Sequence, residues 1–168
     1  MEINYDTPLG EAQEWLRDKL TEGANCPCCG QLSKVYRRKL YGSMAASLLH
    51  FYKNFDTQTY THKRDILALA DKTFPTLSTT LGGGDFAKLM FWGLLEQKPA
   101  EENNRGSGYW RVTEKGSDFV NGKVKIPSHV MIYNGDFLGL DGDDVSIQDC
   151  LGEKFSYTEL MGGGPLKA

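Results

Sequence analysis

The chain has 168 residues, of which 40% are hydrophobic and 24% charged, and its formal net charge is −3. This composition is typical of globular proteins, and no segment approaches the roughly 18 consecutive apolar residues of a membrane-spanning helix. The first ten residues show no basic cluster followed by an apolar run, so we expect no signal peptide, no membrane partner and a cytoplasmic location.

Charge is segregated along the chain. Residues 1–25 have a net charge of −4 and residues 134–168 of −5, whereas residues 26–133 have +6. A basic centre between acidic ends favours an anionic partner for the centre, because binding follows the local field more than the total charge. The alternative is that solvent-exposed faces differ in charge by chance.

The first predicted element is a helix in DTPLGEAQEWLRDKLTEG, with Thr7 as its N-cap and Pro8 as its first residue. Apolar residues recur there at helical spacing and predict one buried stripe, which consists of Leu9, Ala12, Trp15, Leu16 and Leu20.

Three of the four cysteines follow in NCPCCG, which contains the C-P-x-C-G signature of a zinc knuckle. Such a turn brings two thiolates together, so if zinc is bound we expect Cys26 and Cys29 to be its ligands and Cys28 to be a spare thiol. The chain has no second C-x-x-C pair, and His50 and His62 are the candidates to complete the site. Zinc held within one chain, zinc shared between two chains, and no metal all remain open. A redox-active C-x-x-C pair would lie at a helix N-terminus in a βαβ unit, and the predicted order of helices and strands does not contain such a unit.

The segment KVYRRKL has the β-branched and aromatic content of a short strand. It contains the densest positive cluster of the chain, Arg37, Arg38 and Lys39. On a strand, Arg37 and Lys39 project from one face and Arg38 from the other. We expect this strand to contact phosphate groups, with the cysteine turn bracing it.

Two longer helices are predicted next, in GSMAASLLHFYKNF with Ser43 as N-cap and in HKRDILALADKTF with Thr61 as N-cap. Residues 82–84 are glycines and predict a turn, because each glycine inside a helix costs about 1 kcal/mol relative to alanine. Asp85 is then the predicted N-cap of a short helix over residues 86–92.

The most informative segment is WGLLEQ followed, after a polar loop, by GYWRVTEKGSDFV. GLLEQ and YWRVT predict two strands joined by a loop over residues 98–107, and Thr113 is the predicted N-cap of the next helix. The order of helices and strands is that of a winged helix. The segment resembles the wing region of bacterial MarR-like and PadR-like regulators, in which a G-L-[LI] strand and a T-x-K-G helix start recur. The resemblance covers about residues 61–122.

The C-terminal part predicts β-structure. Asn134-Gly135 lies between two apolar runs and indicates a hairpin, and Asp141-Gly142 indicates a second turn, so we expect a three-stranded meander. Short helices are predicted in SIQDCLGEKFSYTELM. The predicted fold class is α+β with four parts: an N-terminal helix and cysteine-knuckle segment (1–42), a winged helix-turn-helix domain (43–123), a β-hairpin or meander with short helices (124–161), and a disordered tail (162–168).

The whole arrangement is also similar to a set of uncharacterised phage and prophage proteins. These share a CPxCGQ…KVYKRK start, a WGL[IL]E…GYWR[VL]TEKG wing and a VSIRDALG…FDYDELM-like end. The similarity runs from about residue 9 to residue 161 and implies the same fold and a phage context.

We expect no enzymatic activity. GGGDFA matches a relaxed dinucleotide-binding pattern but lacks the preceding buried strand, and DGDDVSIQDCLG lacks the ligand positions of a calcium loop.

Two candidate functions remain. The first is a phage-type, regulatory winged-helix protein that contacts DNA phosphates. The second is a small module that binds a host or phage protein, for example to inhibit a nucleic-acid-targeting defence enzyme. The residues predicted to contact DNA are Arg37, Arg38, Lys39, Lys63, Arg64, Lys88 and Arg105.

Overall fold

The computed structural model describes residues 2–101 and 106–162, which form a mixed α+β fold with eight α-helices and three small antiparallel sheets. The helices are α1 (Leu9–Lys19), α2 (Gly42–Asn54), α3 (Lys63–Thr73), α4 (Ser78–Gly82), α5 (Asp85–Lys88), α6 (Glu114–Val120), α7 (Ile147–Leu151) and α8 (Tyr157–Leu160). The strands are β1 (Ala24–Asn25), β2 (Leu32–Ser33), β3 (Tyr36–Lys39), β4 (Thr61–His62), β5 (Leu95–Gln97), β6 (Tyr109–Val112), β7 (Ile126–Tyr133) and β8 (Asp136–Val145). None of these helices combines the length and the hydrophobicity that a membrane crossing requires.

The core is built around α2, whose residues from Met44 to Tyr52 are all buried. A helix that is buried on every side must lie inside the domain. It contacts α3, α4, α5, α6, α7 and α8 as well as β6. Trp110 of β6 and Phe119 of α6 both join this core, since they are 4% and 0% exposed.

The predicted hairpin at the centre of the chain is confirmed. Leu95 pairs with Val112 and Gln97 pairs with Trp110 in an antiparallel register. The two-residue strand β4 adds to the other side of β6, so the strand order is β4-β6-β5. Most of the connecting loop is described, but residues 102–105 lie outside the described residues.

The helix that follows this hairpin begins as predicted. The Thr113 hydroxyl accepts a hydrogen bond from the Gly116 N–H at 3.0 Å and donates one to the Gly93 carbonyl at 2.5 Å. It therefore caps α6 and ties it to Gly93, two residues before β5. Gly93 has a φ of 77°, which closes the preceding 3-10 helix (Leu89–Trp92) in the left-handed conformation that glycine tolerates.

The other predicted N-caps are wrong by one or two residues. The Thr7 hydroxyl accepts from the Asn4 N–H and Pro8 precedes α1, while His62 caps α3 by accepting the Arg64 N–H at its Nδ1. Thr61 is part of β4, because pairing with β6 holds it extended up to the start of the helix. Ser43 and Asp85 both lie inside their helices, after Tyr41 and Gly84 at the N-cap positions.

The predicted apolar stripe of α1 is largely unburied. Only Ala12 is buried, and Leu9 is 63% exposed. The cause is the position of α1, which packs beside the two-residue strand β1 and not on the core around α2.

The C-terminal sheet differs from the predicted meander. Asn134 and Gly135 form the predicted tight turn with positive φ values of 51° and 79°. The second turn is wrong, because β8 continues through Gly142 to Val145. Gly142 serves close packing instead, since a methyl group there would overlap the side chains of Ser128 and His129. The third strand is β3, which pairs antiparallel with β7 to give the order β3-β7-β8.

Candidate functional site

The basic run of the sequence lies on β3, which is an edge strand paired only with β7. All four β3 residues are exposed. Arg37 is engaged within the chain, because its Nε donates a 2.6 Å hydrogen bond to Oδ2 of Asp141. This bond holds the pKa of the Asp141 carboxyl below its ordinary value. The charge of Arg37 is therefore compensated by the chain itself.

Arg38 and Lys39 carry the remaining charge of the run. No carboxylate of the described residues lies within salt-bridge distance of either. The Arg38 guanidinium lies 5.8 Å from the centre of the Tyr36 ring, on the opposite side of the strand from Lys39. Cations on an edge strand also discourage pairing with a strand of another chain, so the run has a structural role beside any ligand.

The cations near α4 and α5 are also largely engaged. The Nζ of Lys63 donates a 2.7 Å hydrogen bond to the Gly83 carbonyl, and burial lowers the pKa of Lys63. The Nζ of Lys88 lies 2.6 Å from Oδ1 of Asp85. These two ammonium groups hold the glycine turn in place and are poorly available for phosphate.

Arg64 of α3 is largely available, since its side chain is 73% exposed and its Nε lies 4.0 Å from Oδ1 of Asp65. Arg105 lies outside the described residues. Residues 61–122 contain eight Lys and Arg and eight Asp and Glu, so this region has no net charge. The positive excess of the middle of the chain comes from other segments.

The segment between α3 and β5 is broken and mostly apolar. It consists of α4, the glycine turn, α5 and the 3-10 helix Leu89–Trp92. Phe86, Leu89 and Trp92 are buried, and the Trp92 Nε1–H donates a 2.8 Å hydrogen bond to the Pro127 carbonyl. The inner side of this segment therefore joins the core to β7.

An apolar patch lies on the outer side of the same segment, and we define it as Met90, Phe91, Phe137 and Leu138. Phe91 stacks on Phe137 with ring centres 5.8 Å apart and an angle of 16° between the rings. Exposure is 41% for Met90, 47% for Phe137 and 54% for Leu138. Our sequence reasoning missed this patch. A signal was available, because Phe137 and Leu138 are large apolar residues that closely follow the predicted Asn134-Gly135 turn, and turns lie at the protein surface.

The cysteine segment forms the turn that its sequence predicts. β1 and β2 pair antiparallel, the Cys26 N–H donates to the Gln31 carbonyl at 2.8 Å, and the Gly30 N–H donates to the Cys26 carbonyl at 2.8 Å. Gly30 has a φ of 76°. The backbone N–H groups of Cys29 and Cys28 donate to the Cys26 sulfur and lower the pKa of this thiol.

The predicted histidine ligands are engaged elsewhere. His50 is buried with its Nε2 3.0 Å from the Ile66 carbonyl, and the Asn54 amide nitrogen lies 3.3 Å from its Nδ1. Nε2 therefore carries the proton and donates, while Nδ1 accepts. His62 caps α3 through Nδ1. Among residues 2–101 and 106–162 no three His, Cys, Asp or Glu side chains converge, so neither histidine joins the cysteines.

The knuckle opens onto a cleft of about 390 Å³ between α1, β3 and the turn before β8. Its lining includes the thiols Cys26 and Cys29 and the side chains of Leu16, Leu32 and Tyr36.

Comparison of the chain with known protein families, with curated proteins and with solved structures finds no match. Function is therefore inferred from the topology and the surfaces themselves.

Proposed function

We propose that the middle of the chain is a winged helix and that the chain acts by binding a host or phage protein through the apolar patch. The topology supports the first part. A helix-turn-helix made of α3 and the α4–α5 segment precedes a hairpin, and β4 joins that hairpin in the order β4-β6-β5. In such a fold, the connection between β5 and β6 would be the wing.

The proposal of a protein partner depends on the α4–α5 segment, which lies where a winged helix would have its DNA-recognition helix. A DNA-reading helix presents polar side chains to base edges in the major groove. Here the segment is interrupted at residues 82–84, and its outer end contributes Met90 and Phe91 to the apolar patch. Its own cation Lys88 is engaged by Asp85, and Lys63 of α3 is engaged by Gly83. Such a surface suits a protein partner better than a base pair.

The patch also has the composition of a protein interface. Single exposed apolar residues are ordinary, whereas a contiguous group that includes stacked aromatic rings marks an interaction site. The exposed carboxylates Asp136, Asp143 and Asp144 lie along the same strand, β8. We therefore expect a partner that has an apolar contact residue at its centre and basic residues at its rim.

Site-specific photocrosslinking in host cells tests this proposal. A photoreactive amino acid at Leu138 should give one discrete protein adduct, while the same group at Tyr5, which is fully exposed outside the patch, should not. Phe137→Ser in the Leu138-labelled chain should abolish the adduct, because it removes the stacked ring. Equal adducts at both positions, or none at Leu138, would count against the proposal.

A second candidate is the binding of DNA by a regulatory winged-helix protein. Arg38, Lys39 and Arg64 favour it, because they are exposed cations and no carboxylate in the described part of the chain lies closer than 4.0 Å to any of them. Binding to random duplex should then weaken by ~0.9 log unit per log unit of salt for each phosphate neutralised. Arg38→Ala with Lys39→Ala should reduce this slope by roughly two. Arg37→Ala is the matched control and should change it less, because Asp141 already compensates that charge.

A further inference from the structure

The cysteine knuckle is half of a tetrahedral metal site. A structural zinc ion takes four ligands at about 2.0–2.3 Å, and knuckles occur in pairs for this reason. Cys26 and Cys29 have the knuckle spacing, the turn that carries them is closed by the β1–β2 pair, and both line one cleft. Within the described residues, no histidine, cysteine or carboxylate completes a group of three.

The exposed face beside the knuckle is apolar. Leu32 is 62% and Tyr36 50% exposed, and both line the same cleft as the two thiols. Leu9 on α1 is 63% exposed, and Trp15 and Leu16 of the same helix are only half-buried. An apolar stripe at helical spacing that the single chain does not bury is the pattern of a surface covered by another chain.

From these two observations we propose that two copies of this chain bind one zinc ion between them, through Cys26 and Cys29 of each copy. A two-fold axis brings the same surface of both copies together, so one pair of thiols in each chain becomes four ligands. On binding, each S–H bond breaks, its proton goes to solvent, and each sulfur keeps the electron pair that it donates to zinc.

The same contact accounts for the apolar surface. A two-fold arrangement about the zinc places the Leu32 and Tyr36 side chains of one copy against the second copy, together with Leu16 of α1, which lines the same cleft. Cys28 stays outside the site, because the knuckle uses its first and fourth positions. This proposal is independent of the apolar patch near Phe137 and of the function proposed for it.

Metal content and molar mass of the purified full-length chain test the proposal together. After reconstitution with zinc, we expect one zinc ion per two chains and a dimer by light scattering. Removal of zinc with a chelator should return the monomer. Cobalt in place of zinc should give the intense sulfur-to-metal absorption and the visible bands of a tetrahedral thiolate site, with the same stoichiometry.

Two cysteine variants make the test specific. Cys29→Ser should lose both the metal and the dimer, whereas Cys28→Ser, the matched control in the same turn, should keep both. Circular dichroism of Cys29→Ser without metal should match that of the chelated parent, which separates loss of the site from loss of the fold. One zinc per monomeric chain, a requirement for Cys28, no bound metal, or a dimer that persists without metal would each overturn the proposal.

Discussion

Arg37 on β3 reaches across the central strand β7 and donates a hydrogen bond from its Nε to Oδ2 of Asp141 on β8 at 2.6 Å. The two side chains are 49% and 51% exposed, so the pair adds little to stability. Its larger effect is electrostatic. The pair compensates the charge of one of the three adjacent cations on β3, the strand that the sequence predicts to contact phosphate.

Asp141→Asn should restore that cation. Without the carboxylate, Arg37 joins Arg38 and Lys39 as a third uncompensated charge on β3. We expect binding to random duplex DNA at low salt to strengthen and the salt dependence to steepen by about one phosphate contact. Fluorescence anisotropy over a range of salt concentrations measures both. Asp136→Asn is the control on the same strand, because no arginine of the described residues lies within salt-bridge distance of Asp136. An equal gain in both variants would show that only total charge matters.

His50 should make stability depend on pH. Burial lowers the pKa of this histidine below its ordinary value of 6.5, so the folded chain keeps it neutral while the unfolded chain takes up a proton. The free energy of unfolding should therefore fall as the pH drops below 6.5, by up to about 1.4 kcal/mol per pH unit until the lower pKa of the folded state is reached. Urea denaturation between pH 7.5 and 5 measures this slope.

His50→Gln separates this effect from the other titrating groups. Burial, followed by the charges of Arg37 and Lys39, also lowers the pKa of His129, which acts in the same direction and is present in both proteins. The difference between the two slopes therefore reports His50 alone. Identical slopes in the parent and in His50→Gln would mean that His50 titrates as freely in the folded chain as in the unfolded one.

Gly116 should be intolerant of any side chain. It lies in the first turn of α6, where a methyl group would overlap the Leu94 carbonyl oxygen and the Val112 side chain. We expect Gly116→Ala to destabilise the chain by about 1–3 kcal/mol, because the backbone at Leu94, just before β5, must move. Gly10→Ala on α1, where the space is open, should be neutral or stabilising by roughly 0.5–1 kcal/mol. Equal effects would contradict the close packing of α6 on the hairpin.

Trp110 and Phe119 should contribute most to the packing of the hairpin on α2 and α6. Both are buried, so replacing either by alanine should cost about 3–5 kcal/mol in the free energy of unfolding. Tyr109→Ala is the matched control on the neighbouring position of β6, where the ring is 38% exposed, and it should cost far less. A change below about 1 kcal/mol for Trp110→Ala would be inconsistent with its burial.

Short-range features of the fold could be predicted from the sequence. The Asn134-Gly135 turn, the Thr113 cap and the hairpin between β5 and β6 each depend on residues within about 20 positions. In each case the local chemistry selects the conformation: left-handed backbone at Asn-Gly, a hydroxyl acceptor at the helix start, and alternating side chains on two strands.

Long-range features could not be predicted in this way. The pairing of β3 with β7 joins residues about 90 positions apart, and nothing local specifies it. The same pairing brings Arg37 near Asp141 and turns a predicted phosphate contact into an internal ion pair. Likewise, the spacing of the α1 stripe indicated a helix face but not the absence of a neighbour to bury it. Side-chain partners, more than secondary structure, decided which predicted site residues remain available.

The measurement that bears most directly on the proposed protein-binding role is the selection of sequences from a random duplex library by the purified chain, with dissociation constants for the selected pool. A protein-binding role predicts no enriched sequence and, at most, the ~10⁻⁴–10⁻⁶ M salt-sensitive affinity of non-specific contacts. Enrichment of a common sequence bound at ~10⁻⁸–10⁻¹¹ M, the range of specific regulators, would contradict that role and establish sequence-specific DNA recognition in its place.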